Sequence, residues 1–233
     1  MTELIQQYWQ QYLFGTPGHP TGLVVTLWLT AASVGLGFVL AVPLSVARAS
    51  TNRWFSVPVS IYTYIIRGTP LYVQLLLLYS GVYTLDAVRE TPCLNAFFRD
   101  AFNCTILAFT LNTGAYTTEI FAGAIKATPF GEIEAARAYG MSSFTLYRCI
   151  ILPSALRRAL PAYSNEVILM LHATTLAATA TIPDLLKVAR NASSEYYLPF
   201  VAYGIAALLY LCISFTFIWF FRKAERKWLA YLQ

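Results

Sequence analysis

The sequence predicts an all-α integral membrane protein of about five transmembrane helices, with the N-terminus outside and the C-terminus in the cytoplasm, and three observations carry that expectation. Hydrophobic side chains make up 58% of the 233 residues and charged ones only 12%, roughly half the charge of an ordinary soluble domain. The charges fall in clusters that leave long uncharged runs, such as the 26 residues from Gly22 to Ala47. A bilayer crossing needs only ~20. The cations are also divided unevenly between alternate connections, and that division sets an orientation.

Residues 1–20 precede the first span. They lack the basic start and small-residue cleavage site of a secretory signal, and Gln6, Gln7, Gln10 and Gln11 interrupt their apolar positions. Tyr8, Trp9, Tyr12 and Phe14 suit a membrane interface, so this stretch reads as a retained interfacial segment. The membrane domain takes residues 21–222, with spans at about 23–47, 57–83, 102–125, 159–181 and 199–221. Each is helical because a backbone in hydrocarbon must satisfy its own hydrogen bonds. The second contains Arg67-Gly68-Thr69-Pro70, a charge followed by helix breakers, which moves its membrane start toward Pro70. Gly35 and Gly37 in the first span, and Gly204 with Ala202, Ala206 and Ala207 in the fifth, offer small surfaces for close helix approach.

The connections on one side and the tail hold Arg48, Arg53, Arg67, Lys126, Arg137, Arg148, Arg157, Arg158, Arg222, Lys223, Arg226 and Lys227, against Arg89, Arg99, Lys187 and Arg190 on the other. That asymmetry places the loop 126–158 and the basic tail 223–233 in the cytoplasm, which requires an odd number of spans. The tail, with Trp228, reads as an interfacial anchor and not as a nucleic-acid patch. The outer loop 182–198 carries apolar positions at helical spacing and is expected to lie along the outer face.

Metal chemistry has no foothold. Cys93, Cys104, Cys149 and Cys212 show no zinc-ligand spacing, and the two histidines, His19 and His172, stand apart from them. Cys93 and Cys104 share the outer side and either pair or stay free. No nucleophile, base and orienting group come together in a recognisable spacing.

The loop 126–158 is the most structured connection. Thr128-Pro129 supplies an N-cap and a proline for the first turn, and Glu132-Ile133-Glu134-Ala135-Ala136-Arg137-Ala138-Tyr139 is a strong helix former with early acidic residues. Gly140 is placed to end that helix. A second helical stretch from Ser142 to Ile151 is expected to stop at Pro153. The small Ala135 and Ala136 allow close approach to another surface, while Glu132, Glu134 and Arg137 offer charges that set register.

The spacing goes further. Glu134-Ala135-Ala136, three residues, Gly140, nine residues, then Ile150-Ile151-Leu152-Pro153 resembles the ATPase-docking loop of bacterial ABC importer permeases. Arg67 to Leu75 and Glu119 to Ile125 look like the polar amino-acid (histidine/glutamine/arginine/opine) branch of that family. Asn165 to His172 is most similar to the M-type subunits of importers of histidine, lysine, arginine and ornithine. The resemblance covers about Thr21 to Arg222.

It implies the type I importer permease fold in a bacterial inner membrane. It also implies a Q-type permease partner in preference to a second copy of this chain, two ATPase subunits, and a periplasmic amino-acid-binding protein. The expected docking residues are Glu132, Glu134, Ala135, Ala136, Arg137, Gly140, Ile150, Leu152 and Pro153. The chain has no GxxxxGK[ST] phosphate loop, so it binds no cofactor itself in this reading; ATP and Mg belong to the partner ATPase. It is therefore not an enzyme on its own.

Two carboxylates fall inside spans, Glu119 and Glu166, where a charge costs ~2.5 to 3.5 kcal/mol and must face protein. Asn112, Tyr116, Glu119 and Gly123 lie along one helical stripe, and Tyr163, Glu166, Met170 and Thr174 along another, with Asn165 beside it. The candidate substrate-contacting residues are Glu166, Glu119, Asn112, Tyr116, Asn165 and Met170. Glu119 is equally read as half of an internal salt bridge, with Arg67 as one partner, or as a carboxyl that stays protonated, and the polar residues as helix-joining groups. A competing function is a stand-alone secondary transporter or channel using Glu119 and Glu166; five spans without an inverted repeat speak against it.

Overall fold

Uncharged runs bounded by caps become long helices here, and the proline and glycine positions between them set the bends. A computed structural model describes residues 2–16 and 18–229; Met1 and Pro17 of the interfacial segment and residues 230–233 of the tail lie outside the described residues.

Helix α1 (Thr2–Leu13) leads to α2 (Leu23–Ala49) and to α3 (Arg53–Gly68), whose first turn is capped by the Asn52 side chain. Then follow α4 (Leu71–Leu76), a π turn (Leu77–Gly81) and a 3₁₀ turn (Val82–Thr84). Short α5 (Asp86–Glu90) and α6 (Pro92–Phe98) precede α7 (Ala101–Lys126), capped by Asp100. The loop after it holds α8 (Phe130–Ala138) and α9 (Ser143–Leu146), and α9 passes through a π turn (Tyr147–Ile151) into α10 (Leu152–Ala173). A 3₁₀ stretch (Thr174–Ala180), α11 (Leu185–Tyr196) and α12 (Pro199–Trp228) complete the chain.

Three expectations need correction. Span 57–83 is not one helix: α3 and the stretch from Leu71 to Thr84 meet at 100°. Pro70 lacks an N–H and forces Thr69 into extended backbone (φ −115, ψ 143). Gln74 holds the corner, its Nε2 donating to the Ile66 carbonyl and to Thr69 Oγ1, each at 2.7 Å.

The helix from Ser142 does not stop at Pro153. The π turn absorbs the missing proline donor, with the Leu152 N–H reaching the Tyr147 carbonyl, and the helix runs on into the membrane. Thr128 does not cap α8, which starts after Pro129. Its hydroxyl instead accepts from Arg158 at 2.8 Å. That guanidinium also reaches Ser154 Oγ at 2.6 Å, so one arginine straps the start of the loop to its end.

α7 is the central helix, packed against α2, α3, α4 and α10. It buries Thr105, Thr113, Thr117 and Thr118 together with Ala108, Phe109 and Ala115. A helix with protein on several sides keeps polar groups that a lipid-facing helix cannot. Its closest crossing is with α2 at Gly37, where an added Cβ would stand 2.5 Å from Thr113 Cγ2 and 3.3 Å from the Gly114 backbone N. Gly35, by contrast, faces open space.

At the end of the bundle away from α8, α1 lies on α11 and α12. Leu4, Tyr8 and Tyr12 are buried with Leu185, Val188, Ala189, Ala192, Ala202 and Ala206. The N-terminal segment is thus packed onto the bundle, with α11 beneath it. Cys93 is exposed and Cys104 buried, and both are free thiols.

Candidate functional site

Two neighbouring cavities open on α7, joined by Tyr116, which lines both. The first, about 420 Å³, is lined by Arg48, Thr63, Arg67, Tyr116 and Glu119 among others. The second, about 200 Å³, is lined by Asn112, Tyr116, Glu166, Leu169, Met170 and Ala173. The two helical stripes meet in part: Asn112 and Tyr116 from α7 and Glu166 and Met170 from α10 line the second cavity, while Tyr163 lines a different one. Asn165 does not join them. One residue from Glu166 is a rotation of ~100° on a helix, which leaves Asn165 exposed outside the cavity.

The two carboxylates differ in their surroundings. Arg48 Nε donates to Glu119 Oε1 at 2.7 Å, and Thr63 Oγ1 donates to the same oxygen at 2.6 Å. Glu119 is thus ion-paired inside the chain, but with Arg48 from the last turn of α2 and not with Arg67. The Arg67 guanidinium lies 4.9 Å from the centroid of the Tyr116 ring, a cation–π geometry. Glu166 is 6% exposed and, among the described residues, has no cation in salt-bridge reach.

Sequence reasoning missed Arg48, Thr63 and Gln74. Gln74 Oε1 accepts from Asn112 Nδ2 at 3.2 Å, so the residue that holds the α3–α4 corner also orients a wall of the cavity. Its place inside the Arg67–Leu75 motif was the signal available. For Arg48 the only signal was a cation at the end of an uncharged run.

The second functional region is the loop. α8 is two and a half turns long at ~3.6 residues per turn and ends at Gly140, which adopts φ 75. The Gly140 N–H bonds to the Arg137 carbonyl and the Met141 N–H to the Ala136 carbonyl. Those bonds close the helix and turn the chain sharply.

Glu132, Glu134, Ala135, Arg137 and Gly140 are exposed. Ala136 is turned inward: it is 5% exposed and packs with Ile125, Leu146, Ile151 and Ala155. Ile150 and Leu152 lie against that same small core, and Pro153 is half-buried. Ala136, Ile150 and Leu152 seat α8 on the bundle, and the others but for Pro153 lie on its open surface. Phe130, Tyr139 and Phe144, exposed by 70%, 87% and 74%, add aromatic side chains that the motif did not single out.

Comparison with known proteins gives the family of the chain. Residues 21–229 match the family described as binding-protein-dependent transport system inner membrane component. Over 232 residues, 100% of this chain and 99% of the relative, the sequence is 63% identical to the histidine/lysine/arginine/ornithine transport system permease protein HisM of Salmonella typhimurium. Among solved structures, an amino acid ABC transporter with histidines superposes with a TM-score of 0.77 at 32% identity, covering 88% of this chain and 92% of that one. The MetNI methionine ABC transporter in an inward-facing conformation follows at a TM-score of 0.70, with 87% and 94% covered. Its 20% identity speaks for the fold alone.

Proposed function

Because this chain belongs to the family of binding-protein-dependent transport system inner membrane components, and is a permease subunit of an amino-acid ABC importer, we propose that it passes basic L-amino acids into the cytoplasm through the cavities on α7. It acts in complex with ATPase subunits and is not an enzyme by itself, which sets aside the stand-alone transporter reading. Histidine, lysine, arginine and ornithine are the proposed substrates, by likeness to the permease named for them.

One observation carries the assignment of the site. Of two intramembrane carboxylates, Glu119 already has its cation and Glu166, among the described residues, has none. A buried carboxylate without a partner is costly, and a substrate ammonium or guanidinium supplies the missing charge. Glu166 is the residue for that contact, with Asn112, Tyr116 and Met170 shaping the wall, while Glu119 positions α2, α3 and α7. Asn165 has no part in the wall.

The test is arginine, lysine and histidine uptake by the assembled complex in sealed vesicles. Glu166→Gln lowers uptake at least tenfold while the ATPase still copurifies. Wild-type uptake at equal abundance would remove Glu166 from the path.

For the drive, α8 presents Glu132, Glu134, Ala135, Arg137 and Tyr139 to an ATPase subunit, and ATP and Mg reside on that partner. The small core under α8, strapped by Arg158, passes ATPase closure to α7 and α10 as a rigid-body displacement. A Q-type permease subunit and a periplasmic amino-acid-binding protein complete the assembly in this reading.

A further inference from the structure

A further cavity, separate from the two that share Tyr116, lies at the end of the bundle that carries the loop 126–158. It measures about 880 Å³ and is walled by Phe38, Phe121, Leu156, Leu160, Tyr163 and Phe220 among others. Phe38, Phe121 and Tyr163 form its floor as a triad with ring centroids 5.5 to 5.7 Å apart. Three cations from two helices also line it, Arg157 on α10 and Lys223 and Lys227 on α12. The nearest acidic residue on α12, Glu225, accepts from Ser164 Oγ at 3.3 Å and is not part of the lining.

Solvent fits this space poorly. At ~30 Å³ per molecule it would hold on the order of thirty waters against walls with few polar partners. A volume within the ~300 to 1,000 Å³ of ligand sites, apolar inside and cationic at the mouth, matches an acyl chain ending in an anionic head. Trp219 and Trp228 on the same helix suit the depth of lipid head groups, and basic pockets between helices at that depth recognise acidic lipids.

We propose that this cavity is a binding site for one anionic phospholipid. Its acyl chain lies against Phe38, Phe121 and Leu160, and its phosphate is held by Arg157, Lys223 and Lys227. The site is separate from Glu119 and Glu166, and the proposal rests on the chain being membrane-embedded but not on the choice of substrate. Occupancy wedges α10 against α12 just where the docking loop joins α10, so an acidic lipid steadies the element that receives the ATPase.

Native mass spectrometry of the assembled complex, titrated with phosphatidylglycerol or phosphatidylcholine, tests this. The wild-type complex retains phosphatidylglycerol in preference to phosphatidylcholine. Lys223→Gln and Lys227→Gln each lower its retention about fivefold, since one cation near a head group is worth ~1 kcal/mol. Leu160→Trp, which fills the cavity with all charges intact, lowers it at least tenfold. Arg222→Gln with Arg226→Gln, outside the cavity lining, leaves it unchanged. Equal retention of the two lipids, an equal loss in the Arg222/Arg226 variant, or full retention in Leu160→Trp each overturns the site. Copurification of the ATPase reports assembly in every variant and separates a failed lipid site from a failed importer.

Discussion

Arg48 Nε donates to Glu119 across the seam between α2 and α7, and both side chains keep about a quarter of their exposure (24% and 23%). Water still reaches the pair, so its coupling is modest. Arg48→Gln and Glu119→Gln each destabilise the purified complex, and the double variant recovers part of the loss. A thermal double-mutant cycle reads a coupling on the order of 1 kcal/mol, and full additivity would show that the pair does not act as one unit. Asp184 caps α11 by accepting from the Leu186 and Lys187 N–H groups, and complete burial pushes its carboxyl from 3.8 to about 6. The folded protein therefore binds that proton more tightly than the unfolded chain does. The contribution favours folding below pH 3.8 and is lost as pH rises through about 6, a fall of up to about 3 kcal/mol at ~1.4 kcal/mol per unit. Asp184→Asn keeps a capping acceptor and flattens this slope in thermal melts taken across that window. At this scale the sequence showed which residues bear charge inside spans, because periodicity alone aligns Asn112, Tyr116 and Glu119. It did not show which carboxylate has a partner, because Arg48 and Glu119 are 71 residues apart.

Helix α8 stands on a core of small and branched residues and exposes a face of charges and Tyr139. Glu134→Lys reverses a charge on that face without touching the packing beneath it. The ATPase is expected to be lost from pull-downs while permease abundance is unchanged; retention of the ATPase would move the docking surface elsewhere. Local signals made the α8 helix legible, since Glu132 and Glu134 suit its early turns and Gly140 its end. They did not distinguish the two alanines: Ala136 is buried and Ala135 exposed, a matter of which side of α8 meets Leu146 and Ile151. The continuous path from α9 into α10 was also hidden, because a proline signals a helix end unless a π turn takes up the lost bond. The 100° corner after α3 was half legible. Gly68-Thr69-Pro70 announced a break, and its angle was decided by the Gln74 hydrogen bonds.

The whole bundle turns on the α2–α7 crossing. Gly37→Leu would drive a side chain into Thr113 and the α7 backbone, spreading α7 from α2 and removing Glu119 from Arg48. The expected outcome is at least a tenfold fall in membrane abundance and in assembly with the ATPase, whereas Gly35→Leu, facing open space, leaves both near normal; equal losses would show that the crossing has no special tightness. By itself the sequence determined an all-helical membrane protein with its long helices, a helical loop at 126–158 and two carboxylates within its long apolar segments. Hydropathy runs, charge clusters and caps act over a few turns of one helix, and they can be read without knowing what packs on what. Only the tertiary structure decided that Glu119 is ion-paired while Glu166, among the described residues, is not, that Asn165 is outside the cavity, and that Arg157, Lys223 and Lys227 share one apolar cleft. Those facts depend on the rotation and crossing of helices distant in the chain, which are set by side-chain packing at places such as Gly37.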